Sequence, residues 1–171
     1  MEEELLIDMS FFSVIYDSPV GPLQLISDKN NLYFLKFYGT DNSINSSFFN
    51  KKIQEKPNQI INETINQLKE YFSGKRKIFD IPTKFLYGTK FQINVWSKLR
   101  SIKYGETASY IDVAKSINNP RSYRAVGNAN GKNPISIIIP CHRVIANDGN
   151  LGGYGAGLKS KSFLLNLESR D

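Results

Sequence analysis

In the N-terminal part of the chain, apolar residues come in short runs broken by turn-forming clusters. Residues 12–16, 23–27 and 32–38 are apolar-rich and too short for helices. Ser18-Pro19-Val20-Gly21-Pro22 separates the first two runs, and Asp28-Lys29-Asn30-Asn31 separates the second from the third. The pattern predicts an antiparallel meander. Residues 40–50, rich in Ser and Asn, predict a loop. The period then lengthens: Ile61, Ile65, Leu68 and Phe72 recur at helical spacing, with Gly74 as a stop. Residues 78–81, closed by Pro82, predict one more strand.

Beyond a boundary within residues 83–88 the periodicity is mostly helical. Thr89 followed by Gln92 is a capping-box pattern, and Phe91, Val95, Leu99 and Ile102 share one face of the helix it opens. Tyr104-Gly105 ends it. Ser109 with Asp112 predicts a second N-terminus and a short helix over residues 110–117. In Asn118-Asn119-Pro120, Asn119 suits an N-cap and Pro120 the first position of a third helix, which runs to Gly131. Two short helices so joined form a helix-turn-helix pattern. Residues 135–139 predict an apolar strand. A glycine-rich loop around Asn147-Asp148-Gly149 and Gly152–Gly157 follows. A last helix over residues 158–168 carries Phe163, Leu164 and Leu167 on its apolar side. The third helix contains Arg124-Ala125-Val126-Gly127, and a helical glycine costs about 1 kcal/mol relative to alanine. Small residues at 125, 127 and 129 let that helix approach closely either another core element or a narrow nucleic-acid groove.

Composition adds constraints. A chain of 171 residues forms one domain or two small ones. A single cysteine excludes an intramolecular disulfide, no apolar run approaches the roughly 20 residues of a membrane span, and the acidic start MEEELL is unlike a signal peptide. These features predict a cytoplasmic location, or a nuclear one in a eukaryote. The net charge of +6 is uneven. Residues 1–88 hold 10 Lys and Arg against 11 Asp and Glu, a net of −1, whereas residues 89–171 hold 12 against 5, a net of +7. Such a basic half suits a polyanionic partner, nucleic acid above all, and also suits a merely solvated surface.

The same half holds the chain's one cysteine and one histidine, adjacent in Ile139-Pro140-Cys141-His142-Arg143. A thiol near pKa 8.5 becomes a nucleophile as the thiolate, so a neighbouring imidazole is a natural base, provided a third group orients it. Adjacent residues in extended chain point to opposite faces, so the pair needs a bend or a bridging water. Glu168 at the end of the last helix is the candidate third member, the alternative being a solvated helix-end charge.

These segments resemble the O6-alkylguanine-DNA alkyltransferases, also called methylated-DNA–protein-cysteine methyltransferases. The resemblance covers about residues 87–169. It rests on Gly88-Thr89-Lys90-Phe91-Gln92, Val95-Trp96, Tyr104-Gly105-Glu106-Thr107-Ala108-Ser109-Tyr110, Arg124-Ala125-Val126-Gly127, Asn133-Pro134, Ile139-Pro140-Cys141-His142-Arg143-Val144-Ile145 and Leu151-Gly152-Gly153-Tyr154. In the N-terminal half it is looser, with Leu68-Lys69-Glu70-Tyr71-Phe72-Ser73-Gly74 as the best piece. It implies an α/β protein: a ribonuclease-H-like domain over residues 1–86, then a mostly helical, winged-helix-like DNA-binding and alkyl-acceptor domain with a helix-turn-helix over residues 87–171.

The resemblance also assigns roles. Cys141 is the implied alkyl acceptor, His142 its base acting through a water, Glu168 the carboxylate that orients the imidazole, and Asn133 the residue that holds the Asn-Pro turn against the active-site segment. Tyr110 is implied to displace the target phosphate and lend its hydroxyl to the base, and Arg124 to fill the gap left by a flipped nucleotide. Ala125 and Gly127 would lie in the minor groove, with Ile111, Asn119 and Asn147 also touching DNA. Val144, Tyr154 and Gly155 would meet the substrate base. The implied partner is double-stranded DNA carrying O6-alkylguanine, with O4-alkylthymine a second expected substrate, and the implied state a monomer with no membrane partner. Transfer is irreversible and stoichiometric, with no cofactor. Some relatives carry a structural zinc held by Cys and His; this chain has neither outside 141–142, so no metal is predicted. Some relatives have serine where Gly155 stands, and here a backbone N–H would take the place of that hydroxyl. The competing classes are a non-catalytic alkyl-lesion-binding protein, which lacks the acceptor cysteine, a thiol hydrolase and a helix-turn-helix regulator.

Overall fold

A computed structural model describes residues 10–39 and 53–169. The predicted loop at residues 40–50 lies outside them. The meander forms as the short apolar runs and intervening turns predict: β1 (Phe11–Ser18), β2 (Gly21–Ser27) and β3 (Leu32–Phe37) pair antiparallel in turn, and β4 (Ile53–Gln54) adds parallel to β1, giving the order β3-β2-β1-β4. Helix α1 (Gln59–Phe72) starts at Asn58, whose side chain accepts from the Ile61 N–H at 3.0 Å and donates to the Asp28 carbonyl at 2.6 Å. One contact caps the helix and the other ties it to the turn between β2 and β3. Its buried face is Ile61, Leu68 and Tyr71.

Residues 78–81 are not a strand. Ile78 is 80% exposed, and the strand-like contact comes later, where Thr83 bridges Leu32. Instead Gln67 of α1 takes both backbone groups of Asp80, accepting its N–H at 2.8 Å and donating to its carbonyl at 3.1 Å, so the segment is tied to the helix and pairs with no strand among the described residues.

Both predicted capping boxes are present. Thr89 opens α2 (Lys90–Leu99) with Gln92 returning its bond, and Ser109 opens α3 (Tyr110–Ser116) with Asp112 returning its own. Trp96 of α2 is fully buried and donates its indole N–H to the Ala129 carbonyl at 2.7 Å, joining α2 to α4 (Tyr123–Gly131). Gly88 is required beside it: its φ is +123°, and an added Cβ would lie 2.6 Å from the Trp96 ring. The third helix starts later than predicted. Asn118 takes φ +57°, the Asn119 carbonyl accepts from the backbone and hydroxyl of Ser122, and the 119–122 turn delays α4 to Tyr123. Asn119 is therefore not the N-cap, and Pro120 lies in the turn.

The predicted strand at residues 135–139 is instead a hydrogen-bonded turn. Asn133 takes backbone partners on both sides of it, Ser136 bridges Ile139, and Ile137 has φ +71°, which is costly for a β-branched residue. The start of this segment pairs with the edge of the sheet. Leu35 N–H donates to the Pro134 carbonyl at 3.0 Å and Ser136 N–H to the Leu35 carbonyl at 2.8 Å. Strand β3 thus carries the approach to the Cys-His segment on its outer edge. A 3₁₀ turn at Cys141–Arg143 follows, then β5 (Ala108–Ser109) and β6 (Val144–Ile145) pair in parallel, and α5 (Gly157–Glu168) ends the described fold. One buried apolar cluster runs from Leu23 and Leu35 through Trp96 and Val126 to Leu164.

Candidate active site

The bend required between Cys141 and His142 is the 3₁₀ turn they begin, with Pro140 immediately before it. Cys141 is 4% exposed and forms part of the wall of a cavity of about 420 Å³. Tyr110, Gly127, Asn133, Tyr154 and Gly155, all expected at the site, line the same cavity.

His142 is fully buried, and its Nε2 lies 2.8 Å from Glu168 Oε1. Glu168 also receives Arg143 through Nε at 2.8 Å and Nη2 at 2.9 Å, the Tyr71 hydroxyl at 2.7 Å and the Gly105 N–H at 3.4 Å. Burial pushes its carboxyl up, but hydrogen bonds from His142 and Arg143 and the positive charge of the guanidinium prevail and hold it at about 2. An ionised carboxylate only accepts, so the proton between it and the imidazole sits on Nε2. Nδ1 is then a lone pair, buried and without a hydrogen-bond partner among the described residues. Burial lowers the pKa of His142, against the pull of Glu168, so the ring is neutral near pH 7. Burial likewise raises the Cys141 thiol, while the Asn133 amide and the ammonium groups of Lys36 and Lys161 act in the opposite direction. The resting pair is a thiol beside an unprotonated imidazole.

Asn133 donates to the Ile139 carbonyl at 2.8 Å and accepts from the Ile135 N–H at 3.0 Å, closing the turn that delivers Cys141. Tyr110 is the first residue of α3, and burial followed by the nearby Cys141 raises its pKa. Gly152 makes room for it: φ is +66°, and a Cβ there would come 2.9 Å from the Tyr110 hydroxyl. The Tyr154 hydroxyl is buried beside Cys141, with no aligned hydrogen-bond partner among the described residues.

The remaining expected residues divide. Arg124 and Ala125 are exposed on α4, with the Arg124 guanidinium 5.7 Å above the exposed Tyr123 ring. Ile111 is half-buried and Asn119 exposed at the start and end of the preceding helix and turn. Asn147 is exposed on the tight turn 146–150 and does not line the cavity. Val144 is fully buried away from the cavity wall, its carbonyl accepting from Lys161 at 2.6 Å.

Several contributors escaped the sequence reading. Asn130 is buried and donates to the Cys141 carbonyl at 3.2 Å. Tyr71 and Arg143 complete the shell of Glu168. Lys161 is fully buried, held by the carbonyls of Val144 and Leu151, with its pKa lowered by burial to about 8. An available signal was Arg143, a third polar residue directly after the Cys-His pair.

The chain is similar to known proteins over nearly its whole length. Residues 12–85 match the family model described as 6-O-methylguanine DNA methyltransferase, ribonuclease-like domain, and residues 90–170 match its DNA binding domain. A methylated-DNA–protein-cysteine methyltransferase of Methanosarcina acetivorans is 43% identical over 162 residues, covering 92% of this chain and 97% of the relative. A protein of the same name from Haemophilus influenzae is 41% identical, over 93% of this chain and 87% of its own. Among solved structures, Mycobacterium tuberculosis OGT in complex with DNA superposes with a TM-score of 0.83 at 40% identity, covering 92% of each chain.

Proposed function

The chain belongs to the 6-O-methylguanine DNA methyltransferase family, and from that premise we propose that Cys141 accepts the alkyl group of O6-alkylguanine in duplex DNA. The protein is a DNA-repair transferase that moves an alkyl group from DNA to its own cysteine. One observation carries the assignment to Cys141: its immediate neighbour His142 has one ring nitrogen committed to Glu168 and the other left as a buried lone pair.

The steps follow from those groups. An alkyl group on O6 lies inside the duplex, so the base leaves the stack, at an unstacking cost of a few kcal/mol that is least for a damaged pair. The cavity of about 420 Å³ lies within the roughly 300–1,000 Å³ of small-ligand sites. Arg124, exposed on a helix with Ala125 and Gly127, occupies the vacated position from the minor-groove side. His142 Nδ1 takes the Cys141 proton through a water, and Glu168 stabilises the imidazolium that forms. The thiolate attacks the alkyl carbon in line; the carbon–sulfur bond forms as the carbon–O6 bond breaks. Tyr110, on the cavity wall, donates a proton to the departing base. The product is a thioether, so one molecule repairs one lesion.

Asn133 and Asn130 hold the acceptor turn in register, and Tyr154 and Gly155 cover the base. Ile111, Asn119 and Asn147 belong on the DNA side. Val144, whose side chain is in the core, acts on the site indirectly, its N–H donating to the Cys141 carbonyl and so bracing the acceptor turn. The displacement itself needs neither metal nor cofactor. O4-alkylthymine presents the same kind of carbon and is expected to react. A binder without transfer chemistry would need no acceptor sulfur, and this chain retains one.

The test is to mix the protein with a duplex oligonucleotide carrying O6-methylguanine, record the intact mass and map the adduct. One methyl group on Cys141, in stoichiometric yield, is expected. Lesion loss with an unmodified Cys141 overturns the reading, as does multiple turnover.

A further inference from the structure

Lys36 is contributed to the acceptor site by the N-terminal sheet, yet it belongs to none of the motifs around Cys141. It sits on β3, is 7% exposed and lines the cavity that contains Cys141. Its ammonium donates to the Asn133 carbonyl at 3.2 Å. No carboxylate among the described residues pairs with it: the ion pairs there are Arg76–Glu70 and those of Glu168 with His142 and Arg143. Buried lysines are nearly always paired. Two of the three ammonium donors therefore lack an acceptor among the described residues, and the anion missing from this pocket is the one the reaction makes.

We propose that Lys36 is a positioning residue of the acceptor site, a fixed cation on the sheet edge that stabilises the Cys141 thiolate across the cavity. The proposal rests on Cys141 being the acceptor. The placement is built into the backbone. Leu35, one residue before, exchanges two backbone hydrogen bonds with the Pro134–Ser136 segment, so the ammonium is set against the same turn that Asn133 closes. Burial lowers the Lys36 pKa and the Cys141 thiolate raises it again, as expected for facing groups of opposite sign. The other titratable groups that face the sulfur are Lys161 from α5, Tyr110 from α3, Tyr154 from the loop before α5 and the adjoining His142. Of these, Lys161 already spends donors on two carbonyls, and the tyrosines oppose the thiolate when ionised.

The experiment titrates the thiol by its rate of reaction with iodoacetamide in the full chain, without DNA. Lys36→Met is expected to raise the midpoint by about one pH unit, roughly tenfold less thiolate at neutral pH, and Lys36→Arg to bring it back. A merely structural tie to Asn133 would lower thermal stability and leave the midpoint in place. An unmoved midpoint in Lys36→Met overturns the proposal. So does failure of arginine to restore it, which would assign the effect to shape. Should Lys36→Met not fold, the reciprocal measurement decides. The Lys36 Nζ resonance is titrated in the unsubstituted protein and in Cys141→Ser, where its midpoint is expected to fall; an unchanged midpoint overturns the proposal. Since iodoacetamide needs no DNA, failure of methyl transfer from an oligonucleotide would count against the acceptor reading and not against Lys36.

Discussion

The pocket around Cys141 and the outer face of α4 treat charge in opposite ways. Behind the cavity wall, Glu168 takes donors from His142, Arg143, Tyr71 and Gly105, all inside the fold. On α4, Arg124 is exposed, with the ring of Tyr123 as its near neighbour. The buried carboxylate is satisfied before any partner arrives, because desolvating an unpaired charge is costly. A charge on the surface stays hydrated until a polyanion replaces the water. The chemical half of the proposed site is thus preorganised by folding, whereas the α4 face proposed to meet DNA keeps its charge exposed.

The sharpest way to break this contrast is to remove the sulfur. Cys141→Ala is expected to abolish the mass adduct altogether while leaving duplex binding unchanged in a gel-shift titration. Loss of binding as well would mean that the two regions are not separable. Next is Glu168→Ala against Arg124→Ala. The first leaves a guanidinium and an imidazole without their anion, and should lower unfolding free energy by about 3–5 kcal/mol in urea titration. The second should change stability by less than about 0.5 kcal/mol. It should nevertheless weaken reaction with duplex by about 1–3 kcal/mol and spare reaction with free O6-benzylguanine. Equal losses on duplex and free base would take the intercalating role from Arg124.

Acid should find the pocket and not α4. The Glu168 carboxyl is held at about 2 against 4.5 when unfolded, so its contribution is complete above pH 4.5 and is withdrawn as pH falls toward 2. His142 is lowered from 6.5, so the fold favours the neutral ring, and that contribution is complete above pH 6.5 and declines as pH falls below it. Urea midpoints should therefore drop continuously from pH 6.5 downward. Glu168→Gln should flatten the part below pH 4.5, and Arg124→Ala should leave the whole curve unaltered. The smallest effect belongs to Gly127→Ala. A Cβ there meets the Tyr110 ring at an ordinary 3.7 Å, so the helix should gain up to about 1 kcal/mol, measurable as a rise in Tm. Any loss of DNA affinity that accompanies it would place position 127 in the groove.

The legibility of these two regions in the sequence differs for the same reason. Local signals are short-range: the capping boxes at Thr89 and Ser109, the Pro19–Gly21 turn and the α1 stripe are all contained within a few residues, and each appears in the fold. Cys141 and His142 were visible as the sole residues of their kinds, and Glu168 through resemblance. Tyr71 lay hidden because it borders an apolar helix stripe next to Phe72 and reads as core. Lys36 and Lys161 were missed because charge in a sequence reads as surface, and nothing in their neighbours announces a buried pocket. The isoleucine run at residues 135–139 read as a strand because periodicity registers side-chain polarity. It does not register the Asn133 side chain, which captures the backbone and bends it. The 78–81 segment misled in the same way, since apolar composition alone does not supply a strand to pair with.

The carboxylate that His142, Arg143 and Tyr71 share is the final residue of α5, and this bears on how the protein is made. A chain emerging from the ribosome presents its thiol 27 residues before it presents the acid that orients the neighbouring imidazole. Until synthesis has run through α5, the sulfur is an ordinary cysteine without its base in place. For a molecule that can be used once, arming is thereby deferred until α5 has been made, and a product cut short in that helix would carry the nucleophile but not the means to activate it.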